Sequence, residues 1–144
     1  MMKRTINYII MLLGVVCTLS SCNKDEETFT QYPAPSWTVE PANYNGNMTA
    51  VVTVPDNLKR YMQSDDQLAA FVDDGCRGVG ILLDGAFYVT IKGSSSEESM
   101  VAFRYYSSRN RYMYTTDAFL AFDIDAVLGS TDNPEVLSLH HVTD

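Results

Sequence analysis

The sequence predicts an all-β fold: a two-layer antiparallel β-sandwich, Ig-like in size, behind a cleaved leader and a short disordered tether. Three observations predict it. After Trp37, runs of roughly four to eight residues rich in Val, Ile, Phe, Tyr and Thr recur between clusters of Gly, Asp, Asn and Ser, as consecutive short strands require. Asp73-Asp74-Gly75 and Asp84-Gly85 tolerate positive φ and read as hairpin turns joining antiparallel neighbours. The runs also alternate, so each strand offers one apolar face, and a sheet with one such face needs a second sheet over it.

Taken in order, residues 1–21 have the layout of a secretory signal. Lys3 and Arg4 precede an unbroken apolar run from Tyr8 to Cys17, and the small residues Ser20 and Ser21 stand directly before Cys22. That run falls well short of the roughly 20 residues a bilayer-spanning helix needs, so it is expected to be cut away. Residues 22–36 hold few aliphatics and include Pro33 and Pro35, which predicts an extended tether. The domain itself is expected over 37–144.

Within the domain, strands are expected near 37–39, 48–54, 67–73, 77–83, 86–92, 99–106, 111–116, 118–123 and 136–140. In 86–92, Phe87, Val89 and Ile91 oppose Tyr88, Thr90 and Lys92; in 99–106, Val101, Phe103 and Tyr105 oppose Ala102, Arg104 and Tyr106. One face packs and the other is wet. Between 56 and 67, Leu58, Tyr61 and Met62 fall at helical spacing, consistent with a short helical turn crossing between sheets or with a loop whose Asp65 and Asp66 cap the next strand. Ala69, Ala70, Gly78 and Gly80 carry little bulk and let neighbouring strands approach closely.

Leu19-Ser20-Ser21-Cys22 resembles the bacterial lipobox, in which a branched apolar residue and two small ones fit the signal peptidase and the Cys thiol takes a diacylglyceryl group. The resemblance implies a lipoprotein signal peptide over 1–21 and lipidation at Cys22. It implies a protein held to a membrane by its acyl chains, since two or more chains anchor where one binds only marginally. Asn-Lys-Asp-Glu-Glu at 23–27 resembles the export signal that sends lipoproteins of Bacteroidetes-type bacteria to the outer face of the outer membrane. A solvated spacer has the same composition. Further on, LAAFVDDGCRGVG (68–80), FYVTIKG (87–93), VAFRYY (101–106) and LGSTDNPEVL (128–137) resemble, in the same order, a small β-sandwich module of secreted and surface proteins of Bacteroidetes. That likeness implies fold and location and brings no catalytic residue with it.

Charge and cysteine narrow the chemistry. The chain carries 18 acidic against 10 basic residues, a formal net charge of −8; without Lys3 and Arg4 eight basic residues remain and the net becomes −10. A nucleic-acid backbone is repelled by such a surface, and Arg104, Arg109 and Arg111 are interspersed on a strand-turn-strand segment rather than set on one face. Nucleic acid is rejected as a partner. Once Cys17 leaves with the leader and Cys22 is acylated, Cys76 is the remaining thiol and no intramolecular disulfide can form. The domain must rely on its core, for which about 110 residues suffice. Cys76 reads as a small buried apolar residue, and Arg77, next to it on a strand, faces the other way.

Candidate chemistry is sparse. His140 and His141 are the only histidines and, as strand neighbours, face opposite sides, which disfavours a catalytic triad or a two-His metal site. Asp73, Asp74, Asp84, Asp117 and Asp132 stand where turns favour Asp, so a glycosidase-type carboxylate pair is not indicated. Asp123-Ile124-Asp125 places two carboxylates on one side of a strand and offers a partial calcium site without the rest of the loop. No catalytic residue, metal ligand or cofactor is assigned, and the chain reads as a non-enzyme.

Aromatics give the one positive indication. Tyr105, Tyr106, Tyr112 and Tyr114 lie on an expected hairpin, and rings two apart, as at 112 and 114, share a side. An exposed strip of this kind stacks on sugars or receives a protein; the same rings also serve as ordinary core or cross-strand pairs. The function expected is therefore a surface-exposed, lipid-anchored binding module for a glycan or protein ligand. A structural accessory lipoprotein of an outer-membrane assembly, docking by a sheet edge or apolar patch, is the alternative.

Overall fold

Hydrophobic alternation does most of the building. In the computed structural model, which describes residues 28–144, strands β1 (Gly46–Thr53) and β5 (Ala86–Gly93) pair antiparallel, with Met48 opposite Ile91 and Ala50 opposite Val89. Edge strand β4 (Ile81–Leu83) adds beyond β5, while β9 (Val127–Leu128) and β10 (Glu135–Val136) line the far side of β1, completing a five-stranded sheet. A second, six-stranded sheet runs in the order β11 (Leu139–His141), β7 (Tyr112–Thr116), β6 (Met100–Ser107), β2 (Gln67–Val72), β3 (Gly75–Val79), with β8 (Leu120–Ala121) beside the start of β6. Among the described residues helix is confined to one turn, α1 (Asp56–Lys59), in the link from β1 to β2. The leader and Cys22 lie outside the described residues.

The inward residues of both sheets form one core. Val52, Phe87, Val89 and Ile91 from the first sheet meet Leu68, Val101, Phe103 and Tyr105 from the second, and the rings of Phe87 and Tyr105 touch edge to face with centroids 6.0 Å apart. This geometry suits the quadrupoles of the two rings. Tyr105 reaches through the core to a buried carboxylate: its hydroxyl donates to Asp66 Oδ2 at 2.5 Å. Asp66 Oδ1 accepts from the Ser108 backbone N–H and hydroxyl, and Oδ2 from the Gln63 N–H. Burial and the Asp66 carboxylate together push the Tyr105 phenol well above its ordinary pKa.

Five expectations are corrected. The sheets are not wholly antiparallel, because β9 and β10 run parallel to β1; the chain reaches that edge by crossing from the other sheet, and a crossover, unlike a hairpin, delivers a parallel strand. The run 77–83 is two strands in different sheets. Gly80 marks the change, its N–H donating to Leu68 O at 2.7 Å. The run 136–140 is divided in the same way between β10 and β11, with buried Leu137 at the crossing and its N–H on Thr53 O. Residues 37–39 are not a strand, and 118–123 contributes only β8.

The second sheet is covered on both faces. Ala69, Phe71 and Cys76 form a small apolar cluster on its outer side, closed by Trp37, whose ring meets Phe71 edge to face at 5.5 Å. Residues 28–43 have no regular structure and run along this face as a strap. Tyr32 N–H donates to Arg111 O at 2.8 Å, Glu40 N–H to Cys76 O at 3.1 Å. The expectation of one wet face per sheet therefore holds for Thr90 and Lys92 of the first sheet and fails for the outer side of the second.

At the end away from α1, Arg77 clamps the loop between β5 and β6. Its guanidinium makes a bidentate pair with Glu97 at 2.9 and 3.1 Å and lies over the Tyr44 ring. Glu97 also accepts from Ser94 N–H and Ser99 Oγ. The Arg77 hydrogen bonds chiefly, with those from Ser99 and Ser94, hold its carboxyl down at about 2, from 4.5.

Two predictions follow from this packing. A Cβ on Gly78 would overlap the Thr90 carbonyl across the sheet junction, so Gly78→Ala should destabilise by about 1–3 kcal/mol, read as a lower urea midpoint. Because the folded Glu97 carboxyl is depressed, its contribution is complete above pH 4.5 and is lost as pH falls toward 2. Unfolding free energies of wild type and Glu97→Gln should therefore differ most above that window and converge at its bottom; parallel pH curves would refute the assignment.

Candidate functional site

The four tyrosines do not form an exposed strip. Tyr105 is 1% exposed, Tyr106 3% and Tyr114 4%. Spacing placed Tyr112 and Tyr114 on one side correctly, but that side faces inward: Tyr114 stands opposite Tyr105 in the β6–β7 ladder and packs against it. Burial raises the Tyr114 phenol pKa. Tyr112 is half-buried at the end of the core, edge-on to Phe29 and His141. Tyr106 points the other way, beneath the strap, where its hydroxyl donates to Tyr32 O at 3.2 Å.

Strap and sheet together shape a groove. Tyr32 and Trp37 form its strap side; Arg104, Met113, Thr115 and Val142 form its floor and far wall, around a volume of about 410 Å³. Each of these side chains is partly exposed. The register explains the floor: Arg104 on β6 pairs with Thr115 on β7, so both project outward together. The strap wall is held from behind by Tyr106 and from the end by Phe29, whose ring stacks on His141 with centroids 3.6 Å apart. Burial, with His140 next to it, lowers the His141 pKa, favouring the neutral ring that stacks.

Arg104 is the charged group in the groove. Its guanidinium lies 4.2 Å from the Phe71 ring centroid and donates to Asp74 Oδ1 at 3.1 Å, a carboxylate wholly exposed to solvent. Such a surface pair is weak and screened, so the guanidinium keeps donors free for another anion. Aromatic walls with a fixed cation suit a ligand that has a flat apolar face and a carboxylate.

The other polar clusters do not assemble catalytic chemistry. Asp117 accepts from Ser138 Oγ and lies against His140 Nδ1, and these two bonds, Ser138 first, lower its pKa. The carboxylate stands between the hydroxyl and the imidazole, whereas a nucleophilic triad needs the imidazole between the other two. Asp123 and Asp125 are on an irregular segment, with Asp125 at φ 64°, so the shared strand face expected for them is absent. Among the described residues no three His, Cys, Asp or Glu side chains gather as metal ligands. Cys76 is buried, bonded to Gly78 O, and its thiol pKa is raised chiefly by desolvation. A second concavity of about 250 Å³, between Phe103, Phe119, Leu128 and Leu137, is mainly apolar.

Sequence reasoning missed Tyr32, Trp37 and Arg104 as a group. One signal was available: Phe29, Tyr32 and Trp37 stand in and at the end of a segment read as disordered, and disordered segments are poor in aromatics.

No protein-family profile matches the chain, and neither a curated protein nor a solved structure is significantly similar to it.

Removing the Tyr106 hydroxyl tests the strap. Tyr106→Phe should cost about 0.5–1.5 kcal/mol and raise acrylamide quenching of Trp37, the chain's single tryptophan; unchanged quenching would mean that this bond does not hold the groove wall.

Proposed function

We propose that this protein is a surface-exposed, lipid-anchored β-sandwich that binds a carboxylated glycan without catalysing its turnover. The lipobox-like Leu19-Ser20-Ser21-Cys22 and the charged run after it support the anchor and the outer-membrane location. The AAFV…CRG, FRYY and GSTDNPEVL segments support kinship with small modules of Bacteroidetes surface proteins. Two facing sheets with a common core support the sandwich.

One observation carries the ligand class: Trp37 and Tyr32 wall a groove in which Arg104 is balanced only by an exposed Asp74. A pyranose face stacks on an aromatic ring through its C–H groups, and a uronate or sialate carboxylate would replace Asp74 on the guanidinium. The hydrogen bonds would be charge-assisted and partly shielded, which is where arginine contributes most to specificity.

A glycan array decides it. Wild type should bind acidic sugars, with a change in Trp37 emission; Arg104→Gln should weaken binding about tenfold or more, and Trp37→Ala should abolish the stacking contribution while the fold, followed by circular dichroism, persists. Absence of any sugar binding by wild type would sink the glycan reading.

A second reading has its own support. β4 is a free edge, with Ile81 71% and Leu83 57% exposed. An extended segment of an outer-membrane partner could add to this edge, making the chain a structural accessory lipoprotein. Ile81→Lys would then block co-purification of that partner and leave the groove intact.

A further inference from the structure

The floor of the groove does not end at Thr115. On β7 that residue pairs with Arg104 of β6 on one side and with His140 of β11 on the other. The three side chains therefore stand in one row across the outer face of the second sheet, with Arg104 and His140 two strand spacings, about 10 Å, apart. Val142, two residues beyond His140 on the same side of the chain, already lines the groove. The row carries the floor onto β11.

Its two ends offer different chemistry. At the first, Trp37 and Arg104 both lie against Phe71, the indole at 5.5 Å and the guanidinium at 4.2 Å from its ring centroid, which sets the stacking surface beside the cation. At the second, Asp117 accepts from Ser138 Oγ and lies against His140 Nδ1. An ionised carboxylate only accepts, so Nδ1 carries the proton, and Nε2 is the ring nitrogen turned away from Asp117 toward a ligand hydroxyl. The His140 and Asp117 side chains are 56% and 49% exposed. Between the ends, Thr115 Oγ1 makes a long bond to Phe103 O at 3.4 Å and keeps lone pairs for a ligand.

Charge limits what can occupy the row. Arg104 is the one cation among the described residues that line the groove; Arg111 donates to Tyr32 O from the side of the strap where Tyr106 also bonds. Carboxylates stand beyond the floor in the other directions, Asp117 past Thr115 and Asp144 on the Tyr32 hydroxyl. One acidic sugar is balanced at Arg104, whereas a second beside it would meet a like charge.

We infer that the groove continues into a second sugar subsite, where Thr115, His140 and Asp117 take the hydroxyls of a neutral pyranose linked to the acidic one held by Arg104. This rests on the glycan reading of the groove and narrows its ligand to a mixed glycan, an acidic residue next to a neutral one, against a run of uronates. Carboxylate and imidazole serve the second subsite as hydrogen-bonding groups and take no part in bond cleavage.

Titration calorimetry with defined sugars tests it: the methyl glycosides of glucuronate and sialate, the same two acidic sugars linked to galactose, and digalacturonate. Adding galactose should tighten binding about tenfold, the worth of one or two net hydrogen bonds, and digalacturonate should bind no tighter than methyl glucuronide. His140→Ala and Asp117→Asn, both at half-exposed positions outside the core, should each remove most of the gain from galactose and leave the affinity for the methyl glycosides within about twofold; Asp117→Asn should also improve binding of digalacturonate. If galactose adds nothing, if its gain survives both substitutions, or if digalacturonate binds wild type as tightly as the mixed disaccharides, the second subsite is overturned while acidic-sugar binding at Arg104 stands. If no acidic sugar binds, single or linked, the glycan reading is overturned and the subsite with it.

Discussion

The second sheet carries apolar side chains on both faces, and water has to be excluded from the inner face and from part of the outer one. Inward, Leu68, Ala70, Val101, Phe103 and Tyr105 meet the first sheet; outward, Ala69, Phe71 and Cys76 require another cover. Among the described residues no third sheet supplies it, and the irregular segment 28–43 does. Burying its aromatics yields roughly 25 cal/mol per Å², and the backbone bonds to Arg111 and Cys76 satisfy groups that would otherwise face an apolar surface. The groove, the fixed exit of the strap and the covered thiol all follow from that one requirement.

The same economy governs how the chain passes between layers. Small or buried residues occupy the changes of sheet: Gly80, whose N–H turns back to Leu68 O, and Leu137, whose N–H turns back to Thr53 O. At both, the polar backbone stays bonded while the chain leaves one ladder for the other. Gly78 lets β3 lie against the Thr90 carbonyl of β5, while Phe119 and Val136 remain exposed. Both line the apolar cleft between β8 and β10.

Strong alternation was legible in the sequence. β1, β2, β5, β6 and β7 lie within two residues of their expected bounds, since period-two patterns over five or more residues admit few other structures. Sheet changes were not legible, because VGILL reads as one apolar run whether or not Gly80 breaks it. The two-residue strands β9 and β10 carry too little pattern to register. For the site, spacing gave the shared side of Tyr112 and Tyr114 but not which side is inside; that depends on the partner sheet, which no local window contains.

Cys76 makes the strap observable. Its sulfur sits under Trp37 with a raised pKa and a bond to Gly78 O, so while the cover is closed the nucleophilic thiolate is scarce and shielded. A maleimide can reach it only after residues 36–40 lift, and when reclosure outruns reaction the alkylation rate follows the equilibrium of that local opening rather than of global unfolding. The buried sulfur is thus a built-in clock for the motion of the groove's own wall.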